Sequence, residues 1–569
     1  MSVDNRQPLV VNKISAGSRE MVIWTTPTAK PVVRNGPMAL VRDSAAGGWM
    51  RSGVIGMRAT LAHGALGVLL AVGIAMSGCS TLNSAANSVT NFMTGGPGTP
   101  PGAPGYVSGF LGGVATDEPR AALLGREVLS SGGDAADAAV AAAFMLAVTL
   151  PSRAGLGGGG ACMAYDPDKA SINGGVPEAV VFVPPPGGGT GPRPAAVPML
   201  ARGLFALHAR YGRRPFESLI AYAEQAARFG LPVSRALARD LAVVAGPLGG
   251  DPVARSIFLQ PNGQPLAEGA PLVQTDLGAT LAQVRVSGVG DLYNGVLARR
   301  LVDAAGQAGG GLTLQALRDA LPRFLPAITV DAPKGDKASF LPPPADGGLA
   351  AAAAFQALAA TPNDLQAAQN RALAVAAAWR AQGGAGDPKA LLAGPVQPAS
   401  LPALPASASL VTLDRDGRVV ACSFTMNNLF GTGRIAPGTG ILLGASPTWM
   451  PPPLLSAGIA WNANLHAFHA AVAASGQEAA PLAAADLLGQ SLVTRSRVLT
   501  QAGTNMGKEA PINLNFSGQT VETGGMPLRA ASEPGRADVI TCPGYLPGNR
   551  GTCGWSVDPR SAGLAAGSN

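Results

Sequence analysis

Regular alternation of polar and apolar positions begins near Gly112. Glu118–Leu129 has the pattern of a helix, ended by Ser131-Gly132-Gly133. Asp134 is placed to cap a second helix over Ala135–Leu150, which Pro151 stops. The run Gly155-Leu156-Gly157-Gly158-Gly159-Gly160 then leads into a strand over Ala161–Tyr165. Residues 201–245 read as helical with a break at Gly230, Val296–Gln307 as another helix, and Leu349–Gln382 as one Ala-rich helix. Leu410–Leu413, the turn Asp414–Gly417 and Val419–Thr425 form a β-hairpin pattern. Gly431–Gly444 is a Gly-rich loop holding one short apolar run, Ile441–Leu443.

Composition narrows the class. The chain has 569 residues, 47% of them hydrophobic and 13% charged, which excludes a disordered charged tail. Its 76 glycines and 49 prolines follow no three-residue period, which excludes collagen and implies many tight turns. The abundant alanine weakens every helical periodicity. Of the net charge of +7, +5 lies in residues 1–78, leaving +2 for all the rest. Without a basic stripe interleaved with aromatics, nucleic acid is not an expected partner.

The N-terminal region has export grammar. Arg51 and Arg58 precede an apolar run from Ala65 to Met76 that is short for a membrane span. Met76-Ser77-Gly78-Cys79 resembles a bacterial lipobox, in which Cys79 would carry the lipid. The expected organisation is residues 1–56 outside the mature protein, a lipoprotein signal at 57–78 and a Gly/Pro/Ser-rich tether at 79–107. This implies a lipid-anchored protein of the cell envelope facing the periplasm, with the membrane as a partner through that lipid. Cys542 and Cys553 flank a turn-rich loop and are expected to pair in such a compartment. Cys162 and Cys422 lie in apolar strand-like runs and read as buried thiols. His466 and His469 share a helix face if the segment is helical; without an acid at ligand spacing they read as packing or surface residues, so no metal site is expected.

Two features invite chemistry. The four-glycine run follows a helix and enters a strand, the wrong order for a phosphate loop, so close backbone packing is its expected role. The hairpin carries Ser407 and Ser409 on its first strand side and Ser423, Thr425 and Asn427 on its second. Hydroxyls two residues apart share one face of a strand.

The order of these pieces resembles the γ-glutamyltransferase family of N-terminal-nucleophile hydrolases. The resemblance rests on Gly132–Val140, Gly155–Gly160, Val197–Leu204, Arg210–Arg213, Phe229–Ser234, Leu292–Gly295, Pro342–Gly348, Leu413–Gly417, Phe430–Leu443 and Asp558–Arg560, and spans roughly 108–569. It implies an α+β fold, a four-layer αββα sandwich, made as one precursor that cuts itself. Residues 108–406 then correspond to the large subunit and 407–569 to the small one. No organic cofactor is implied, and the partner is a small-molecule amide or acyl substrate. The family's nucleophile falls on Ser407, with Ala406–Ser407 as the scissile bond. Hydrolysis of the ester formed there frees an α-amine with a pKa of about 7.7–8, able to serve as base beside its own hydroxyl. The supporting threonine falls on Thr425, and the asparagine that contacts the glutamyl amino group on Asn427.

Elsewhere the sequence departs from the family. The arginine that grips the substrate α-carboxylate aligns with Val183. The stretch that should carry Asn-Asn-Gln/Glu and an acid reads Gly444–Trp449, with Ser446 as its polar member. The paired serines become Leu455 and Ser456, and the oxyanion loop has a faint counterpart at Ser475-Gly476. A bidentate arginine–carboxylate contact contributes about 1.5–3 kcal/mol, so a free γ-glutamyl group, glutathione included, is not an expected good substrate. Two readings follow: a self-processing amide or acyl hydrolase or transferase with an altered pocket, or an inactive homologue serving as an envelope scaffold or binding module.

Overall fold

The computed structural model describes residues 109–493 (except 169, 403 and 406), the backbone of Val521–Thr523 and Met526–Leu528, and residues 535–568. The signal and tether expectations at 1–107, Cys79 and Ala406 all lie outside the described residues.

Two antiparallel sheets form the centre. The first contains β1 (Gly112–Thr116), β2 (Gly159–Tyr165), β3 (Glu178–Phe182), β4 (Arg323–Pro326), β7 (Ala408–Asp414), β8 (Val419–Thr425) and β13 (Leu564–Ser568), in the order β13-β1-β7-β8-β2-β3-β4. The second contains β5 (Ile328–Asp331), β6 (Asp336–Phe340), β9 (Ser456–Asn462), β10 (Ala467–Ser475), β11 (Arg536–Leu546) and β12 (Gly554–Ser556), in the order β12-β11-β10-β9-β6-β5.

Strand alternation divides the apolar residues among three cores. Val411, Leu413, Val419 and Ala421 of the first sheet meet Ile459, Trp461, Ala471 and Ile540 of the second. On its other face the first sheet packs Leu410, Cys422 and Phe424 against helices that include α1 (Pro119–Ser130), α2 (Ala135–Thr149), α4 (Leu200–Tyr211), α5 (Phe216–Phe229) and α6 (Arg235–Leu248). The second sheet packs Phe340, Ala470, Val472 and Val539 against α7 (Gly347–Ala360), α8 (Leu365–Ala381) and α9 (Ala480–Val493). The result is the four-layer αββα sandwich that the resemblance implies.

Local chemistry explains the element ends. Asp134 and Asp137 form a reciprocal capping box at the start of α2. Pro151 both follows α2 and opens α3 (Pro151–Ala154), a single turn where its missing N–H costs nothing. The glycine run lies where backbones nearly touch: a Cβ on Gly158 would collide with the Thr425 carbonyl oxygen, and one on Gly160 with that of Ser423. The Gly158 carbonyl accepts the N–H groups of Met199 and Leu200, so the run also anchors the start of α4.

Four expectations need correction. Residues 201–245 form three helices rather than two, because Gly212–Pro215 interrupts the chain before Gly230 does. Leu349–Gln382 is two helices: Ala-rich sequence hides the break at Thr361–Asp364, where Asp364 caps α8. His466 and His469 lie in the turn and strand of the β9–β10 hairpin, not on a helix, and His469 is buried 2.5 Å from the Asp336 carboxylate. Cys162 and Cys422 are not thiols but a disulfide, since β2 and β8 pair them directly with Cα atoms 4.0 Å apart. Cys542 and Cys553 form a second disulfide.

Candidate functional site

β7 starts at Ala408, which pairs with Phe424 of β8. One step further along the same register brings Ser407 level with Thr425, the last residue of β8. Ser407 and Ser409 share the strand face of Val411 and Leu413, so they look into the space between the two sheets. Both serines are fully buried.

Ser407 is held by β10's end. Its N–H and its hydroxyl both donate to the Gly476 carbonyl, at 3.2 and 3.3 Å. Its own carbonyl accepts from Arg153 Nη1 at 3.4 Å. Gly476 has φ 122°, a conformation open to glycine and strained for other residues. It meets Ser407 with a carbonyl, so in this arrangement it acts as acceptor rather than oxyanion donor. The scissile bond expected at Ala406–Ser407 has its first residue outside the described part.

Thr425 is level with Ser407, yet its hydroxyl oxygen accepts the Asn427 N–H at 2.7 Å. That contact tightens a turn in which Asn427 takes φ 54°. Asn427 Nδ2 donates to the carbonyl of Ala445 at 3.0 Å and to that of Pro184 at 3.5 Å, while its buried Oδ1 has no partner. The amide therefore offers an acceptor, the chemistry an ammonium group needs. Ser446, next to Ala445, shares a hydrogen bond with Thr448 at 2.8 Å. Ser456 donates to Leu454 O at 3.0 Å, a local contact at the start of β9. Val183 follows β3 and brings no charge.

Ser475 has a different partner. Its hydroxyl donates to Asp117 Oδ1 at 3.1 Å. Asp117 Oδ2 accepts the N–H of Ser409 at 2.7 Å and meets the Ser409 hydroxyl at 2.8 Å. That hydroxyl also lies 2.9 Å from Asp538 Oδ2. Burial pushes both carboxyls above their ordinary range. Asp538 moves furthest, because the Asp117 charge adds to its desolvation, whereas Arg536, Arg153 and the donors of Ser409 hold Asp117 down. Thus Ser407, Ser475 and Gly476 are brought into one cluster, Thr425 and Asn427 adjoin it, and Ser446 and Ser456 serve their own turns.

Asp117, Asp538 and Arg153 were not singled out from sequence. The signal for the two acids was one just after the apolar strand Gly112–Thr116, beside Glu118, and another inside the apolar run Ala537–Ile540. Arg153 forms a buried fork with Asp240, with Nε–Oδ2 at 2.8 Å and Nη2–Oδ1 at 2.6 Å, and Ser152 donates to the same carboxylate at 2.6 Å. A cavity of about 90 Å³ between Asp117, Arg153, Arg239 and Arg536 reaches this cluster. A cavity of about 1200 Å³ lies elsewhere, beside Thr329, Trp379 and Arg380, and none of the serines lines it. Among the described residues no group of three or more His, Cys, Asp or Glu side chains is placed to hold a metal, and no helix is long and apolar enough to cross a membrane.

Comparison with known proteins gives the arrangement its context. Residues 121–390 match the family model for Gamma-glutamyltranspeptidase. Glutathione hydrolase proenzyme of Bacillus subtilis (strain 168) is 34% identical over 261 residues, covering 42% of this chain and 43% of that protein. Glutathione hydrolase 3 of Arabidopsis thaliana is 32% identical over 251 residues, covering 42% and 38%. The chain thus aligns with less than half the length of these relatives. The crystal structure of cephalosporin acylase from Bacillus halodurans superposes with a TM-score of 0.61 at 18% identity, covering 83% of this chain and 98% of that one. That likeness is one of fold. Over residues 121–390 the chain is thus similar in sequence to the γ-glutamyltranspeptidase family, and its body shares the fold of that acylase.

Proposed function

We propose that the chain is a γ-glutamyltransferase-like amide hydrolase or transferase that cuts itself at Ala406–Ser407 and then uses Ser407 as its N-terminal nucleophile. The observation that carries this reading is the placement of Ser407: buried at the start of β7, level with Thr425 and held at both its N–H and its hydroxyl by Gly476. Cleavage would turn that N–H into an amine adjacent to the hydroxyl, giving the site the base it otherwise lacks. Arg153, donating to the Ser407 carbonyl, would help fix the backbone of the nucleophile residue during the reaction. Thr425 would support the nucleophile once its hydroxyl leaves the Asn427 turn, and Asn427 Oδ1 would receive a donor from the substrate.

The substrate class differs from that of the named glutathione hydrolases. Val183 stands where the family places its carboxylate-binding arginine, and Ser446, Ser456 and Ser475 are engaged with protein partners. Without that arginine, an acyl group less charged than γ-glutamyl is the expected substrate class. A second reading, an inactive scaffold of the envelope, is favoured by one observation: the Ser407 hydroxyl faces a carbonyl rather than a base.

A denaturing gel under reducing conditions separates the two. Two fragments, the smaller beginning at Ser407 by N-terminal sequencing and absent from Ser407→Ala, are the expected result. A single intact chain in both proteins would overturn the enzyme reading. Chromogenic γ-glutamyl and uncharged acyl amides then test the pocket, with faster release expected from the uncharged one.

A further inference from the structure

We propose that Asp117 is a positioning residue for Ser407, and that Asp117 and Asp538 hold one proton between them across Ser409, so that the nucleophile's strand is locked only while that proton is present. The first half rests on the Ser407 reading above; the second stands on the geometry alone.

A serine hydroxyl has one hydrogen and can donate it once. Ser409 Oγ lies 2.8 Å from Asp117 Oδ2 and 2.9 Å from Asp538 Oδ2. If it donates to one carboxyl, the other must donate to it. Asp117 already accepts the Ser409 N–H and the Ser475 hydroxyl, so it is the acceptor and therefore ionised. The shared proton belongs on Asp538 Oδ2. Asp538 is fully buried, a position that a neutral acid tolerates far better than an anion; the Asp558 N–H and the Ser409 hydroxyl oppose the proton, but burial and the neighbouring carboxylates outweigh them.

The surrounding charges agree. Arg536 on β11 and Arg153 on α3 act on Asp117, and Arg153 is itself paired with Asp240 on α6. Towards Asp538, the nearby carboxylate is Asp558, which follows β12 and pairs with Arg560 at 2.6 Å. Desolvation and the negative charge of Asp117 and Asp558 therefore keep the proton on Asp538.

Asp117 also closes a ring of contacts around the nucleophile. It joins Ser409, two residues along the strand from Ser407, to Ser475, which adjoins the Gly476 carbonyl holding Ser407. Thr116 reinforces the ring by donating to the Ser409 carbonyl at 2.6 Å. Removing the shared proton leaves two carboxylates around one hydroxyl. One of them must withdraw, and the strand holding Ser407 loosens.

The test follows self-cleavage of the full chain against pH in wild type, Asp117→Asn and Asp538→Asn. Wild-type cleavage is expected to fall at alkaline pH. Asp538→Asn, which keeps a donor that cannot titrate, is expected to lose that fall. Asp117→Asn is expected to slow cleavage about tenfold or more, the effect of losing one charge-assisted hydrogen bond. An infrared spectrum of the same proteins reads the proton directly. At neutral pH the wild type should show the carbonyl stretch of a protonated carboxylic acid, missing from Asp538→Asn. An unchanged band, or an unchanged alkaline fall, in Asp538→Asn overturns the shared proton. Wild-type cleavage rates in Asp117→Asn overturn its positioning role. If the wild type never cleaves, the Ser407 reading and the positioning role fail together, while the infrared comparison still decides the shared proton.

Discussion

The Cys162–Cys422 bridge joins residues on opposite sides of the expected cleavage point, and replacing both by alanine is the most direct perturbation of that arrangement. The bridge spans a sequence separation of 260. In the uncleaved chain, closing a loop of that size in the unfolded state removes entropy equivalent to about 5–6 kcal/mol, while measured losses on removing native disulfides run at about 2–5 kcal/mol. Both cysteines are fully buried, so the alanines also forfeit some contact with neighbours such as Val180 and Leu410. A loss of about 3–5 kcal/mol is therefore expected for Cys162→Ala/Cys422→Ala, measured by urea unfolding without reductant. The same bridge predicts the gel pattern of a processed protein: one species without reductant, two fragments with it. Thiol titration of denatured, unreduced protein checks the pairing independently. Of the five cysteines, no more than Cys79 should react. Full reactivity of Cys162 and Cys422, or a double variant within about 0.5 kcal/mol of wild type, would refute the reasoning.

Arg153→Met strips the Asp240 carboxylate of its buried partner and should cost about 3–5 kcal/mol by thermal or urea unfolding, with Arg153→Met/Asp240→Leu recovering part of the loss. Gly158→Ala forces a Cβ into the Thr425 carbonyl and should cost about 1–3 kcal/mol, whereas Gly246→Ala, in α6 with open space around it, should be neutral or stabilise by up to about 1 kcal/mol. His208 is raised above its ordinary pKa by Asp137 and by the Arg214 carbonyl, although burial opposes the shift. Its contribution is present in full below the unfolded pKa and is lost as pH rises through the folded one. Melting temperature measured from pH 6 to 9 should therefore fall less steeply in His208→Gln than in wild type, and parallel curves would exclude the His208–Asp137 pair as the cause.

What could be read from the sequence depended on how local its cause was. Val419–Thr425 and Val296–Gln307 have the same bounds in sequence and structure, since a β-branched run after a Gly-containing turn and an amphipathic helix are each decided within a dozen residues. The second sheet was largely invisible. Ala467–Ser475 is rich in alanine, so a strand buried on both faces shows neither clean alternation nor a helical stripe, and a helix face shared by His469 and the preceding His466 was open for that reason. Cys162 and Cys422 read as separate thiols because only the β2–β8 register brings them together. The site divides along the same line. Ser407, Thr425 and Asn427 were legible because they lie near one hairpin whose motif order is distinctive. Asp117 and Asp538 were not, because each meets Ser409 across a long stretch of chain, 292 residues in one case and 129 in the other. Yet a buried acid in an apolar strand is costly unless it has donors or a proton. Asp117 answers that cost with donors and Asp538 with a proton, and the two solutions require each other: remove the charge from Asp117 and Asp538 loses the neighbour that helps keep it neutral.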